Sequence, residues 1–417
     1  MATRAPADTV VVGGGVIGLS IAWRAAAAGM AVTVVDPDPG HGASWAAAGM
    51  LAPVGEAHFG EEALTALNVE AARAWPGFAR ALEAASGQEV GYQATGTLLV
   101  ALDPSDLAST DDVLRFHLDH GRSARRLTTR ECRAQEPLLA PGVRGGAELA
   151  GDHQVDNRLV VDALIAACRA SRVSFVDDEV AALDTAGDRL TGVLLRGGGR
   201  CATGTVVVAA GCRSGQLGGL PESTRPPVRP VKGLTLRLRS APDRPSLRRT
   251  VRGLVHGRSC YLVPRRNGTV VVGATVEEKG FDLTVQVGAV GDLLDDARRL
   301  VPALDEYELY DTTAGLRPGS PDNAPIVGTT DLPGLIVATG HYRNGILLAP
   351  VTADEVARIL LGGTAAGAGR PADTNATGLT AAFAPFRPDR FAAAAGRPGE
   401  RGAGSGLPAV QGSSFGG

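Results

Sequence analysis

The chain has 417 residues, 44% of them hydrophobic, and a net charge of −3. That is enough apolar material for two or three folding units of roughly 100–200 residues each, with neither the basic surplus of a nucleic-acid binder nor an acidic tail. Five scattered cysteines (Cys132, Cys168, Cys201, Cys212 and Cys260) form no C-x-x-C pair, which fits a reducing cytoplasm and argues against a disulfide frame or a zinc site.

In chain order, residues 9–12 form an all-apolar strand of the kind buried in parallel sheets. Residues 15–29 read as an alanine-rich helix, and 31–35 as a second strand closed by Asp36-Pro37. The apolar run from 10 to 30 is not read as a signal peptide or membrane span. Arg24 interrupts it and glycines stand at 13, 14, 15 and 18; a buried β-α-β start accounts for both. Helices are expected at 61–85, 111–120, 159–170 and 292–301, and strands at 95–100, 228–239, 259–264 and 269–275. The GGG at 197–199 lies between two strands with no helix after it, so it reads as a hairpin turn and not as a phosphate loop. Residues 335–339 form another apolar strand. A helix opens at 345–348, its start left open because Pro350 suits a first turn and strains a later one. The Ala/Gly/Pro-rich tail, 392–417, is expected to be disordered, while PFRPDRF (385–391) carries two aromatics suited to docking.

Gly13, Gly15 and Gly18 fit G-x-G-x-x-G between a strand and a helix. The first permits the turn, the second lets backbone approach a pyrophosphate, and the third lets helix pack on strand, with Val16 and Ile17 opening that helix. Asp36 ends the next strand, where a carboxylate accepts ribose hydroxyls. The small residues of Ala43–Met50 allow close backbone approach to a bulky ligand, and Ser44 adds a hydroxyl. The strand 205–211 ends in small residues and Gly211, which again permits close approach. More than three hundred residues later comes TGHYRNGILLAP (339–350). A chain that builds a nucleotide site at one end and returns to it at the other fits a large cofactor such as FAD. Arg317 and Arg343 are candidate carboxylate clamps, since guanidinium binds carboxylate bidentately. A helix opening at 345 would place a positive N-terminus near a reduced ring.

Seven motifs in combination (VVGGGVIGLSIAW, WAAAGMLAP, PVKG, CYLVPR, VVGAT, AGLRPG and GHYRNGILLAP) resemble the glycine oxidases of thiamine biosynthesis, within the D-amino-acid-oxidase-like FAD amine oxidases. The resemblance spans residues 9–391. It implies an α/β fold: a GR2-type FAD-binding Rossmann-like domain (1–85, 148–225, 312–391) and an α+β substrate domain (86–147, 226–311) whose antiparallel sheet covers the flavin. It implies a homotetramer, conversion of glycine, O2 and water to glyoxylate, ammonia and hydrogen peroxide, and supply of the glycine imine to a thiazole synthase. By motif, Arg317 resembles the arginine that holds the substrate carboxylate, Tyr261 the tyrosine that assists it, and Arg343 the arginine between flavin and ligand. Val16, Ile17, Asp36, Pro37, Ala43, Ser44, Ala48, Gly49 and Met50 resemble FAD contacts, as do Val180, His341, Tyr342, Arg343, Asn344, Gly345, Ile346 and Leu347.

Val276 stands where a pocket-lining methionine is found in one branch, leaving pocket width open. Asp36 replaces a commoner glutamate. With no histidine near Ala46 and no cysteine after Cys260, the FAD is expected to be non-covalent. Hydride leaving a neutral amine needs no base at Cα, so His341 is expected as a flavin neighbour or packed ring. Lys232 stands either at a solvated strand end or near the flavin, where it would assist oxygen. No metal, membrane or nucleic-acid partner is expected. The alternative substrates are other small amines: sarcosine, proline or a D-amino acid.

Overall fold

A computed structural model describes residues 7–57, 60–119, 121–362 and 379–394. The first strand, β1 (Thr9–Val12), is wholly buried and leads into helix α1 (Val16–Ala27) and strand β2 (Val32–Val35). They belong to a six-stranded sheet ordered Ile326–Thr329, Leu335–Thr339, Val206–Val208, β1, β2, Ser174–Val176. All pairings are parallel except that of the edge strand Ile326–Thr329. Residues that form this sheet are far apart in the chain, and a parallel sheet requires that, because each crossover needs a long connection.

An eight-stranded sheet lies beside it, ordered Glu308–Gly319, Arg229–Arg239, Thr269–Gly273, Arg258–Pro264, Thr250–Val255, Thr97–Ala101, Gly145–Leu149, Ala124–Thr128. The expected antiparallel sheet is in fact mixed. Thr97–Ala101 pairs parallel with Thr250–Val255, because a separate segment of chain supplies that strand and its neighbours. Two expected domain limits, 147/148 and 311/312, fall inside strands of this sheet.

Several helices begin earlier than apolar periodicity suggested, because polar caps set their ends. Asp103 Oδ1 accepts the Asp106 N–H at 2.9 Å, starting Pro104–Asp119 well before residue 111. Asp156 caps Asn157–Ala170 in the same way. The helix after the second sheet is also longer, Val287–Leu300. Gly345–Leu360 starts at Gly345 with Pro350 inside it; the missing proline N–H leaves the Ile346 carbonyl without its i+4 donor.

The 25-residue helix Glu62–Ser86 packs across the Gly345–Leu360 helix. Trp75 is fully buried and its Nε1 donates to the Leu347 carbonyl at 2.9 Å, so an aromatic from the N-terminal third fixes the start of the C-terminal helix. The segment 385–391 docks as expected: Phe386 is buried and Arg390 pairs with Asp322 at 2.9 Å. Residues 392–394 complete a 3-10 helix, Pro388–Ala394, so these three are not part of an irregular tail; residues 395–417 of the expected tail lie outside the described residues. The turn at 197–199 is a hairpin turn between Arg189–Leu195 and Arg200–Ala202. No helix among the described residues is long and apolar enough to cross a membrane.

Candidate active site

One cavity of about 780 Å³ runs from the β1–α1 turn to the face of the eight-stranded sheet, toward the upper end of the roughly 300–1,000 Å³ of ligand pockets. Its wall includes Gly13, Gly15, Val16, Ile17, Asp36, Pro37, Ala43, Ser44, Ala48, Gly49, Met50, Val180 and Gly211. It also includes Tyr261, Arg317 and the whole run His341 to Ile346. Two expected contacts are not on it. Gly18 packs α1 against the Gly13 carbonyl, where a Cβ would overlap. The Leu347 side chain is buried, its carbonyl taken by Trp75.

The nucleotide end is built from backbone. Gly13 (φ +106°) passes so close to the Ala209 carbonyl that any side chain would collide. Asp36 Oδ2 accepts the Gly14 N–H at 2.6 Å and Oδ1 the Asp38 N–H at 2.8 Å, which aims the carboxylate along the cavity edge. Ser44 Oγ accepts the Val16 N–H at 2.9 Å at the start of α1, leaving its own proton to donate. The segment after it is tied down from three directions. Asn157 Nδ2 donates to the Ser44 carbonyl, Thr235 Oγ1 to Ala46 and Arg265 Nη2 to Ala48, at 2.8, 2.9 and 2.6 Å. Beside Val180, an exposed Glu179–Arg196 pair at 2.8 Å also lines the cavity; periodicity had no means of finding it.

At the other end, Arg317 lies across Gly233. A Cβ on Gly233 would overlap the guanidinium, so the glycine of PVKG is the seat of this arginine. Arg317 Nη1 donates to the Thr275 and Lys232 carbonyls at 3.1 and 3.3 Å. Among the described residues no carboxylate pairs with it. Tyr261 is buried, its ring resting on Gly273, where a Cβ would likewise overlap. Burial pushes its phenol pKa up, with Arg317 pulling it partly back, so the group is a neutral donor.

Arg343 stands 3.2 Å (Nε to Oε2) from the buried carboxylate of Glu56, an ion pair and not a directed hydrogen bond, since that nitrogen has no hydrogen-bond partner. Glu56 also lies on the wall and was not foreseen. Tyr342, beside it, holds φ +45°, a left-handed geometry uncommon outside glycine and concentrated at functional sites. His341 Nε2 meets Thr352 Oγ1 at 3.0 Å, and burial drives its pKa down to about 3. It is a packed neutral ring on the wall.

Three expectations need correcting. Val276 is 42% exposed and not on the wall; its strand ends at Gly273, and the loop beyond supplies Leu283 instead. Lys232 is neither solvated nor on the wall. It is 1% exposed, with Nζ donating to the Thr284 carbonyl at 2.6 Å between Glu277 and Asp282. A histidine and a cysteine do stand on the wall, His41 and Cys212. Burial raises the Cys212 thiol pKa, which keeps it protonated and a poor nucleophile.

This wall suits FAD: a glycine turn too tight for side chains, a carboxylate at the end of β2, and a long cavity ending at a seated arginine. Residues 8–359 match the family described as DAO: FAD dependent oxidoreductase. The chain is 35% identical to a glycine oxidase of Geobacillus kaustophilus over 363 residues, covering 85% of this chain and 92% of that one. A glycine oxidase structure from that organism aligns with a TM-score of 0.82 at 29% identity, over 93% of this chain and 99% of the other. This chain is also 35% identical to the bifunctional protein ThiO/ThiG of Nostoc sp. over 85% of its length, but spans only 52% of that relative. With the family match running across most of the chain and the cavity formed as that chemistry requires, the chain belongs to the DAO family of FAD-dependent oxidoreductases.

Proposed function

We propose that this chain is a glycine oxidase, converting glycine, O2 and water to glyoxylate, ammonia and hydrogen peroxide. The observation that carries this is Arg317, a guanidinium with no carboxylate partner among the described residues, seated beside the buried Tyr261 in the same cavity as the dinucleotide turn. Bound FAD would accept a hydride and pass two electrons to O2. The residues do the rest. Arg317 takes the substrate carboxylate bidentately, the neutral Tyr261 hydroxyl donates to the same group, and Arg343 is held by Glu56 at the cavity wall. Orientation of this kind replaces much of the entropic cost of reaching a reactive geometry. His341, neutral and bonded to Thr352, has no part as a base.

The FAD is held non-covalently in this reading. The glycine imine formed before hydrolysis is the product useful to a thiazole synthase, which is the partner in this proposal. A homotetramer in the cytoplasm completes the proposal. Sarcosine, proline and small D-amino acids form the second reading. It is favoured by Leu283, 52% exposed on the wall, which leaves that side open to a larger substituent.

Arg317→Ala is expected to raise the glycine KM by roughly 100-fold or more, the loss of a bidentate charged contact, with the flavin still bound. Unchanged kinetics would remove Arg317 from substrate binding. Loss of flavin together with activity would mark it as structural.

A further inference from the structure

Glu56 sits between two arginines. Oε1 is 2.8 Å from Arg252 Nη1 and Oε2 is 3.2 Å from Arg343 Nε. Glu56 is 8% exposed and lines the cavity. The loop that carries it is fixed from behind. Asp152 accepts the Val54 and Gly55 N–H groups at 3.0 and 2.7 Å, and Arg252 Nη1 donates to the Gly55 carbonyl at 2.7 Å. Gly55 is part of the device: a Cβ there would lie 2.6 Å from Asp152 Oδ2 and 2.8 Å from Arg252 Nη1, so a side chain at this position would push those two groups aside. Glu56 is therefore a fixed negative charge and not a free rotor.

The charges that act on the Tyr261 hydroxyl are Arg317, Glu56 and Arg252. Glu56 is shared by Arg252 and Arg343, so its single charge offsets one of the two. Arg317 has no carboxylate partner among the described residues; its Nη1 donates only to the Lys232 and Thr275 carbonyls. A like charge brought against a fixed one in a desolvated site costs several kcal/mol, and specificity is commonly built from such repulsion.

We propose that Glu56 is a specificity-determining residue: by pairing with Arg343 and repelling a second anionic group, it limits the site to amino acids with one carboxylate and excludes N-carboxymethyl dicarboxylates such as iminodiacetate. This rests on the amine-oxidation reading above. Acetate and malonate, which are not oxidised, separate the two ideas when their binding is followed by the visible flavin spectrum of the purified holoenzyme. The wild type is expected to bind acetate at least tenfold more tightly than malonate. Glu56→Gln is expected to erase that preference and to raise the iminodiacetate-to-glycine ratio of kcat/KM on the order of 100-fold. Glu56→Asp, which keeps the charge, is expected to retain the exclusion. Wild type binding malonate as well as acetate would overturn the proposal whatever the variants do, and so would an unchanged ratio in Glu56→Gln. Failure of wild type to oxidise any amine, with the acetate preference intact, would count against the amine-oxidation reading while leaving the charge selection standing.

Discussion

Arg317 and Tyr261 owe their positions to two glycines. Gly233 and Gly273 pair with neighbouring strands as ordinary sheet residues, yet a methyl group on either would strike the arginine or the tyrosine ring. Arg317, Tyr261 and Arg343 were visible in the sequence because they stand in distinctive motifs. Glu56 and Asp152 were not: Glu56 takes its meaning from partners at 252 and 343, and Asp152 from the backbone N–H groups of 54 and 55, none of which a local pattern reveals. His341 offers a test at this scale. Its folded pKa of about 3 lies below the ordinary 6.5, so protonation favours the unfolded chain. The stability His341 contributes is full above pH 6.5 and is lost as pH falls toward 3, at up to about 1.4 kcal/mol per pH unit. Urea titrations of holoenzyme from pH 7 to 4.5 should show a shallower acid decline in His341→Gln than in wild type. Equal slopes would show that the ring is not the buried neutral group described.

Elements show the same division. β1, α1 and β2 were readable almost to the residue, because an unbroken apolar strand, a glycine turn and an alanine-rich helix each follow from local preference. The helices capped by Asp103 and Asp156 begin before apolar spacing predicts, because a cap is a hydrogen bond and spacing does not register it. Pro350 stands inside its helix, which packs against both α1 and the long Glu62–Ser86 helix. The N-terminus of α1 makes a quantitative prediction. Ser44 Oγ accepts the Val16 N–H and faces the cavity. Ser44→Ala removes that bond and a hydroxyl donor, so FAD affinity is expected to fall about tenfold, near the value of a single hydrogen bond. Fluorescence titration of apoprotein with FAD measures it, and unchanged affinity would exclude Ser44 from the cofactor site.

At the scale of the whole molecule, the cavity draws on residues from Val12 to Ile346, and no shorter piece of the chain closes it. The return of the chain to its starting sheet was legible, because an apolar strand and a glycine-opened helix at 335–348 mirror those at 9–18. The order of the eight-stranded sheet was not, since strands of similar composition can pair in many ways and only tertiary contacts choose one. The account's central claim is that this cavity brings glycine to a bound flavin, and the visible spectrum of the purified protein under anaerobic conditions tests it most directly. A yellow protein that glycine bleaches and air recolours, with hydrogen peroxide formed, is the predicted result. A yellow protein whose spectrum glycine leaves oxidised would contradict it, and would turn the search to sarcosine, proline and small D-amino acids.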